Sequence, residues 1–172
     1  GFAPDSADYA HLCYAAKPAG PVPPGSLIAP SSYVCVSPDG YAYAGGEAGQ
    51  LYRIDIDRRE LTQFADTGGF VLGLALDAVG NVYACDIGNR CVQKITPGGM
   101  VSVYPAGPTG EPFRTPNYPT FDASGNLYVA DSGEWHADNG RIIKIAPGGE
   151  AVVWGSGLSQ FPNGLCMGPG EE

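Results

Sequence analysis

The sequence predicts an all-β fold with almost no helix. Of its 172 residues, 26 are Gly and 16 are Pro, and they separate short apolar runs in the way that turn residues do. A hydrophobic share of 44% argues against a disordered chain. No window of about 11 residues or more carries the 3.6-residue apolar period of an amphipathic helix.

A tandem repeat sets the architecture within that fold class. The motif Lys-Ile-Thr-Pro-Gly-Gly at 94–99 recurs as Lys-Ile-Ala-Pro-Gly-Gly at 144–149, each time after a shared block of short strands. The turn glycines are spaced by 40, 45 and 45 residues, at Gly40, Gly80, Gly125 and Gly170. Four short strands in each 40–45-residue unit are typical of β-propeller blades.

The second unit illustrates the order of strands. Its first strand is an apolar run that ends at 74–76, and a tight Gly-Asn turn follows. The second strand, 81–85, is rich in aromatic and β-branched residues. The third strand, 90–95, contains the Lys-Ile pair, and the fourth, 101–104, follows the Pro-Gly-Gly turn. The third unit repeats this order.

We predict a Pro/Gly-rich N-terminal segment, 1–30, followed by a partial β-propeller, 31–172. The blades are expected at about 31–66, 67–107 and 113–157, with an incomplete blade at 159–172. Because propellers close with about four to eight blades, three and a half blades amount to roughly half a ring. Three explanations stay open: a clipped chain with its other half still bound, a partial sequence, or two copies that close one ring.

Charge and cysteine content narrow the functional classes. A net charge of −9 argues against a nucleic-acid partner, because little positive charge is available to neutralise phosphates. No apolar run is long enough to span a membrane. The five cysteines lack zinc-site spacing and fit buried apolar roles in a reducing compartment, which slightly favours the cytoplasm, although the location is otherwise undetermined. A disulfide between Cys85 and Cys91 is the lesser alternative.

Three phrases resemble the SMP-30/gluconolactonase/LRE family over about 31–170. They are Thr-Pro-Asn-Tyr-Pro-Thr-Phe-Asp-Ala-Ser-Gly-Asn-Leu-Tyr at 115–128, Phe-Pro-Asn-Gly-Leu at 161–165, and Asp-Ser-Gly-Glu-Trp at 131–135 with Asn-Gly-Arg-Ile at 139–142. NHL-type and strictosidine-synthase-like propellers share much of the blade repeat. The Pro-Asn pair at the start of a first strand favours the former family.

The resemblance implies a six-bladed ring with one divalent metal at the channel mouth, acting in a hydrolase of a lactone or related cyclic ester. In such an enzyme the metal polarises the carbonyl and lowers the pKa of a bound water, and a carboxylate is the base. The metal-ligand positions of the family fall on Asn117 and Asn163. Ser32, or Ser31 if the register slips by one residue, replaces a Glu ligand, and the Asp that resembles both a ligand and the base would lie beyond Glu172. Oxygen ligands favour calcium, with zinc as the alternative.

Topology predicts which loops border the same mouth. In a blade, the loop between strands two and three and the connection between blades open where first strands begin. Lys144 lies 50 residues after Lys94, whereas Gly125 lies 45 after Gly80, so this loop is five residues longer in the third unit. We therefore predict a substrate rim at Arg114, Glu134, Trp135 and His136.

The same residues also have structural interpretations. His136 can be a solvated loop residue, Trp135 can pack the loop down, and Arg114 can pair with Glu111. The corresponding alternative function is a non-catalytic propeller, NHL-type or strictosidine-synthase-like, that binds a small molecule or a protein at the mouth. Ser32 favours it, because a lost carboxylate weakens a cation site. The expected partners are a small-molecule substrate and the rest of the ring, as a second chain or a second copy.

Overall fold

The computed structural model describes residues 34–104, 107–158 and 160–168, and it confirms the all-β prediction. These residues form twelve strands in three antiparallel sheets of four. The described part of the chain contains no helix except one 3-10 turn, Pro108–Gly110. The predicted N-terminal segment, 1–30, and Ser32 lie outside the described residues.

Each sheet is a four-stranded blade with its strands in chain order. Blade one consists of β1 (Val34–Val36), β2 (Tyr41–Gly45), β3 (Gln50–Asp55) and β4 (Glu60–Asp66). Blade two consists of β5 (Val71–Leu76), β6 (Val82–Asp86), β7 (Cys91–Ile95) and β8 (Val101–Val103). Blade three consists of β9 (Pro116–Phe121), β10 (Leu127–Asp131), β11 (Gly140–Ile145) and β12 (Ala151–Leu158). The described residues of the predicted fourth unit, 160–168, contain no strand.

The blades pack face to face with their first strands adjacent. β5 contacts β1 and β2 on one side and β9 on the other. Side chains alternate across each strand, so every blade has one face toward the preceding blade and one toward the following blade. Burial of both faces explains why the strands are apolar on two sides rather than one.

Two apolar cores fill the spaces between blades. The core between blades one and two includes Tyr43, Leu51, Val71, Leu74, Val82, Ala84 and Ile95. The core between blades two and three includes Tyr83, Cys85, Val92, Phe113, Leu127, Val129, Ile143, Ile145 and Ala151. The chain therefore holds its shape through contacts between blades, which is the packing that a propeller requires.

An edge-to-face aromatic pair recurs on the same face of each blade. The ring centroids are 5.6 Å apart for Tyr43 and Phe64, 5.0 Å for Tyr83 and Tyr104, and 5.4 Å for Tyr128 and Trp154. Lys94 lies over the Tyr83 ring and Lys144 over the Tyr128 ring, as cation–π contacts. The repeat in the sequence is thus a repeat in packing.

The described cysteines are free thiols. Cys85 and Cys91 are buried as expected and Cys35 is partly buried, but the expectation of a buried role is wrong for Cys166, which is exposed. The alternative of a Cys85–Cys91 disulfide is wrong, because Cys85 pairs with Val92 and Cys91 with Asp86, which places the two thiols on opposite faces of the sheet. Burial raises the pKa of Cys91 to about 11, so this thiol stays protonated at neutral pH. Within the described residues we find no helix with the length and apolar character of a membrane span.

Candidate functional site

A β-bulge near the start of blade three sets the position of Asn117. Along β9 and β10 the register runs evenly to Ala130 opposite Tyr118, and then Asp131 pairs with Pro116. Asn117 is therefore an extra residue on its strand without a cross-strand partner. Bulges of this kind redirect a side chain and are common beside active sites.

Blade two contains the same irregularity but not the same chemistry. Its register shifts between Val71, opposite Asp86, and Leu74, opposite Ala84. Leu72 lies within that shift, at the position that Asn117 has in blade three. Blade two therefore forms the bulge without a polar side chain at this position.

Asn117 is 3% exposed, and its hydrogen bonds fix the orientation of its amide. The Ser132 hydroxyl donates to the Pro162 carbonyl at 2.6 Å. A hydroxyl has one hydrogen, so Ser132 Oγ can only accept from Asn117, whose Nδ2 lies 3.2 Å away. Asn117 Oδ1 consequently points away from Ser132, and this buried oxygen has no hydrogen-bond partner.

The same hydrogen bonds bring the two Pro-Asn segments together. Ser132, which is 0% exposed, links Asn117 in β9 to Pro162, the residue that precedes Asn163. Gly140 makes room for this contact, because a Cβ there would clash with the Pro162 ring. We call the end of the blades where Asn117, Ser132 and Pro162 meet the mouth. Asn163 lies there as an exposed residue.

Asp131 fixes the backbone that leads into β9. Its fully buried carboxylate accepts from the backbone N–H groups of Arg114 and Thr115 at 2.9 and 2.7 Å. It also accepts from Arg141 Nε at 2.7 Å. In blade two, Asp86 accepts from the backbone of Phe70 at 3.0 Å in the same manner. These carboxylates order loops and are already satisfied.

The predicted rim residues lie in two loops that hydrogen-bond to each other. Arg114 donates from Nη1 to the Asn139 carbonyl at 2.6 Å, and Thr115 Oγ1 donates to the Gly133 carbonyl at 2.7 Å. The alternative that Arg114 pairs with Glu111 is wrong: Glu111 lies 3.6 Å from Arg141, another arginine.

The longer loop of blade three places aromatic side chains beside the mouth. Trp135 packs edge-on against Phe161 at 5.0 Å and against His136 at 5.1 Å between ring centroids. Glu134 is exposed, and its backbone N–H donates to Asn139 Oδ1 at 2.9 Å. Arg114, Glu134, Trp135 and His136 thus share one loop cluster, joined through Phe161 to the segment that carries Asn163.

The donor set at the mouth fits a hard cation only in part. The unpartnered Asn117 Oδ1 is the kind of neutral oxygen that calcium accepts. Within the described ranges there is no group of three or more His, Cys, Asp or Glu residues that could hold a metal. Any cation here would therefore rely on amide oxygens and on donors outside the described residues.

The sequence alone did not identify Ser132, at the mouth, or Phe161, beside it, as site residues. A comparison between repeats contains a signal for Ser132. The backbone N–H groups of Ile87 and Ser132 donate to the carbonyls of Phe70 and Thr115, both at 2.9 Å, so these residues are equivalent. Blade three therefore replaces an apolar residue with a polar one at this position, as it does at Asn117.

Solved structures share this fold at low sequence identity. A provisionally assigned gluconolactonase matches with a TM-score of 0.70 and 18% identity, over 82% of this chain and 53% of that chain. Virginiamycin B lyase from Staphylococcus aureus matches with a TM-score of 0.71 and 16% identity, over 88% and 49%. A gluconolactonase from Xanthomonas campestris matches with a TM-score of 0.58 and 13% identity, over 76% and 64%.

These similarities establish the fold, which is part of a β-propeller. The chain spans about half the length of the first two structures. No protein-family model matches the sequence, and no curated protein matches it significantly. Since hydrolase and lyase names both occur among the similar structures, the function has to be inferred from the site.

Proposed function

We propose that this propeller segment belongs to a metal-dependent hydrolase that opens a lactone or related cyclic ester at the mouth. The observation that carries the proposal is Asn117 Oδ1, a buried amide oxygen without a hydrogen-bond partner. Leaving such an acceptor unsatisfied costs about 1–3 kcal/mol, which favours a ligand that binds to it. The gluconolactonase names among the similar structures agree with this class of reaction.

In this proposal, Asn117 and Asn163 hold a divalent cation, calcium by preference and zinc as the alternative. Ser132 holds the Asn117 amide by its nitrogen, which leaves the oxygen available to a ligand. A bound cation would polarise the carbonyl group of the ester. Arg114 and His136, on the rim, would orient polar groups of the substrate. Within the described residues no carboxylate hydrogen-bonds to Asn117 or Ser132, so the general base is unassigned.

A calcium titration tests the metal site without depending on activity. By calorimetry, the unaltered chain should bind Ca²⁺, and Asn117→Ala and Asn163→Ala should each weaken binding by about tenfold or more. Leu72→Ala, at the equivalent bulge in blade two, is the matched control and should bind as the unaltered chain does. The same titration with Zn²⁺ tests the alternative metal.

Hydrolysis is measured on the same proteins with δ-valerolactone, with and without the metal. The proposal expects turnover that requires the metal and falls in parallel with metal affinity. If both asparagine variants retain full calcium and zinc binding and full lactone hydrolysis, the proposal is wrong.

The second candidate is a non-catalytic propeller that binds a small molecule or protein at the same mouth. The absence of a His, Cys, Asp or Glu cluster among the described residues favours it. Asn117→Asp separates the two. A carboxylate in a cation site should tighten Ca²⁺ binding, because calcium affinity rises with ligand charge. In a site without a cation it would be an uncompensated buried charge, and calcium would not restore the lost stability.

A further inference from the structure

A half-exposed aromatic pair lies beside the mouth. Trp135 is 49% exposed, and its ring meets that of Phe161 at an interplanar angle of 71°. Burial of a large aromatic side chain is strongly favourable, so a Trp that is half exposed presents apolar area to a ligand.

The backbone around this pair is held in an unusual conformation. The φ angles of His136 and Phe161 are 62° and 63°, in the left-handed region that bulky residues rarely adopt. Asn139 anchors the loop, since its side-chain oxygen accepts from the Glu134 N–H and its carbonyl accepts from Arg114. Strained backbone persists where surrounding contacts enforce it, and such residues cluster at ligand sites.

Phe161 of the aromatic pair is linked to Asn117 through Pro162 and Ser132. Phe161 directly precedes Pro162, whose carbonyl accepts from Ser132 at 2.6 Å. Ser132 in turn accepts from Asn117 at 3.2 Å. A ligand bound at the mouth can therefore extend across this pair.

We infer that Trp135 and Phe161 form a subsite for a flat apolar group, an aryl ring, attached to the ester or lactone of the proposed reaction. The assignment of an ester or lactone to the ligand rests on the proposed function, whereas the subsite for its aryl ring rests on the aromatic pair. An aryl lactone removes apolar area from water on both sides of the contact, whereas a polyhydroxylated lactone offers these rings less apolar area.

Two lactones with the same six-membered ring isolate the subsite. 3,4-Dihydrocoumarin is δ-valerolactone with a fused benzene ring, so the two substrates differ in the group that the subsite would hold. Trp135→Ala should raise KM for dihydrocoumarin about fivefold and leave the kinetics of δ-valerolactone within about twofold. Trp135→Phe, which keeps an aromatic ring, should recover most of the loss.

Another exposed apolar side chain, away from the loop cluster, provides the control. Met100→Ala removes a side chain that is 68% exposed in the turn before β8, and it should alter the kinetics of neither lactone. Equal effects of Trp135→Ala on both lactones, or no effect on either, overturn the subsite.

Direct binding separates failure of the subsite from failure of the proposed function. Saturation-transfer NMR on the unaltered chain should detect bound dihydrocoumarin, and the signal should fall in Trp135→Ala but not in Met100→Ala. Binding that depends on Trp135 without any hydrolysis supports the subsite and rejects the hydrolase. Binding that does not depend on Trp135, or no binding, overturns the subsite even if lactones are hydrolysed.

Discussion

At the scale of single residues, Asn117 is a polar residue at a position where an apolar residue is sufficient for folding. Blade two folds with Leu72 at its bulge, so the blade does not require an amide at the equivalent position of blade three. Asn117 nevertheless buries an unpartnered oxygen. A position that is locally unfavourable for stability in this way is typical of a functional site.

The variant Asn117→Leu, which copies the residue of blade two, tests this trade-off. It removes the buried unsatisfied acceptor and should raise the free energy of unfolding by about 1 kcal/mol. Ser132 keeps its bond to Pro162, so no donor is orphaned. Urea unfolding gives the stability, and calcium calorimetry should register the loss of binding. A variant that is less stable than the unaltered chain would contradict this account.

At the scale of elements, the turns between first and second strands of blades two and three are held by the same pair of side chains. In blade two, Asp77 accepts from the Asn81 backbone at 2.9 Å and from its side chain at 2.7 Å. Asp122 and Asn126 form the same pair in blade three. Burial by itself raises the pKa of each carboxyl, but the hydrogen bonds donated by Asn81 and Asn126 outweigh it and lower both pKa values.

These turns should make stability depend on acidity. A carboxyl whose pKa is lower in the folded than in the unfolded chain stabilises the fold above its unfolded value of about 3.9, and this contribution is lost as pH falls through the folded pKa. The double variant Asp77→Ser/Asp122→Ser copies Ser37, whose N–H and Tyr41 carbonyl form the equivalent turn in blade one. Its unfolding free energy should be lower at pH 7 and should fall less between about pH 5 and pH 3.

The donor side of each turn provides the check on that prediction. Asn81→Ala with Asn126→Ala keeps both carboxylates and their backbone hydrogen bonds but removes the two side-chain hydrogen bonds, so it should flatten the pH dependence in part. Urea unfolding at each pH measures both double variants. An unchanged slope in either one would show that these turns do not cause the acid sensitivity.

At the scale of the whole molecule, the face of blade three that carries Trp154 is exposed, whereas the equivalent face of blade two is covered by the next blade. Tyr104 lies over the next blade, where its hydroxyl donates to the carbonyls of Ala146 and Pro147 at 3.1 Å. Trp154 is its counterpart in blade three, and it is 64% exposed with Val152 43% exposed beside it. We propose that a further blade covers this face, supplied by a second polypeptide or a second copy of the chain.

Native mass spectrometry tests the proposed cover. The mass should exceed the 17.8 kDa of one chain, and it should distinguish a second copy from a different polypeptide. Trp154→Asp should weaken the assembly by about tenfold or more, because buried interface aromatics dominate association. Val79→Asp, in a turn where Val79 is 77% exposed, is the control and should leave the assembly intact. A single chain at all concentrations would contradict the proposal.

Local sequence was enough to determine the strands, turns and blade repeat of this protein. Short apolar runs and turn glycines are local features of the sequence, so the predicted strand at 81–85 agrees with β6 to within a residue. Counting blades also predicted that Asn117 and Asn163 lie at one mouth, and the hydrogen bonds of Ser132 bring their two segments together. The roles of these residues as ligands, and of Arg114, Glu134, Trp135 and His136 as the rim, stay predictions.

Only the tertiary structure determines which polar groups have hydrogen-bond partners. The Ser132 bond to Pro162 joins residues 30 positions apart and determines which way the Asn117 amide points. The bulge that frees Asn117 from its strand partner, and the contact of Trp135 with Phe161, likewise depend on how loops of successive blades meet. Such long-range geometry has no local period, which is why the sequence predicted the blades and the structure located the unpartnered oxygen.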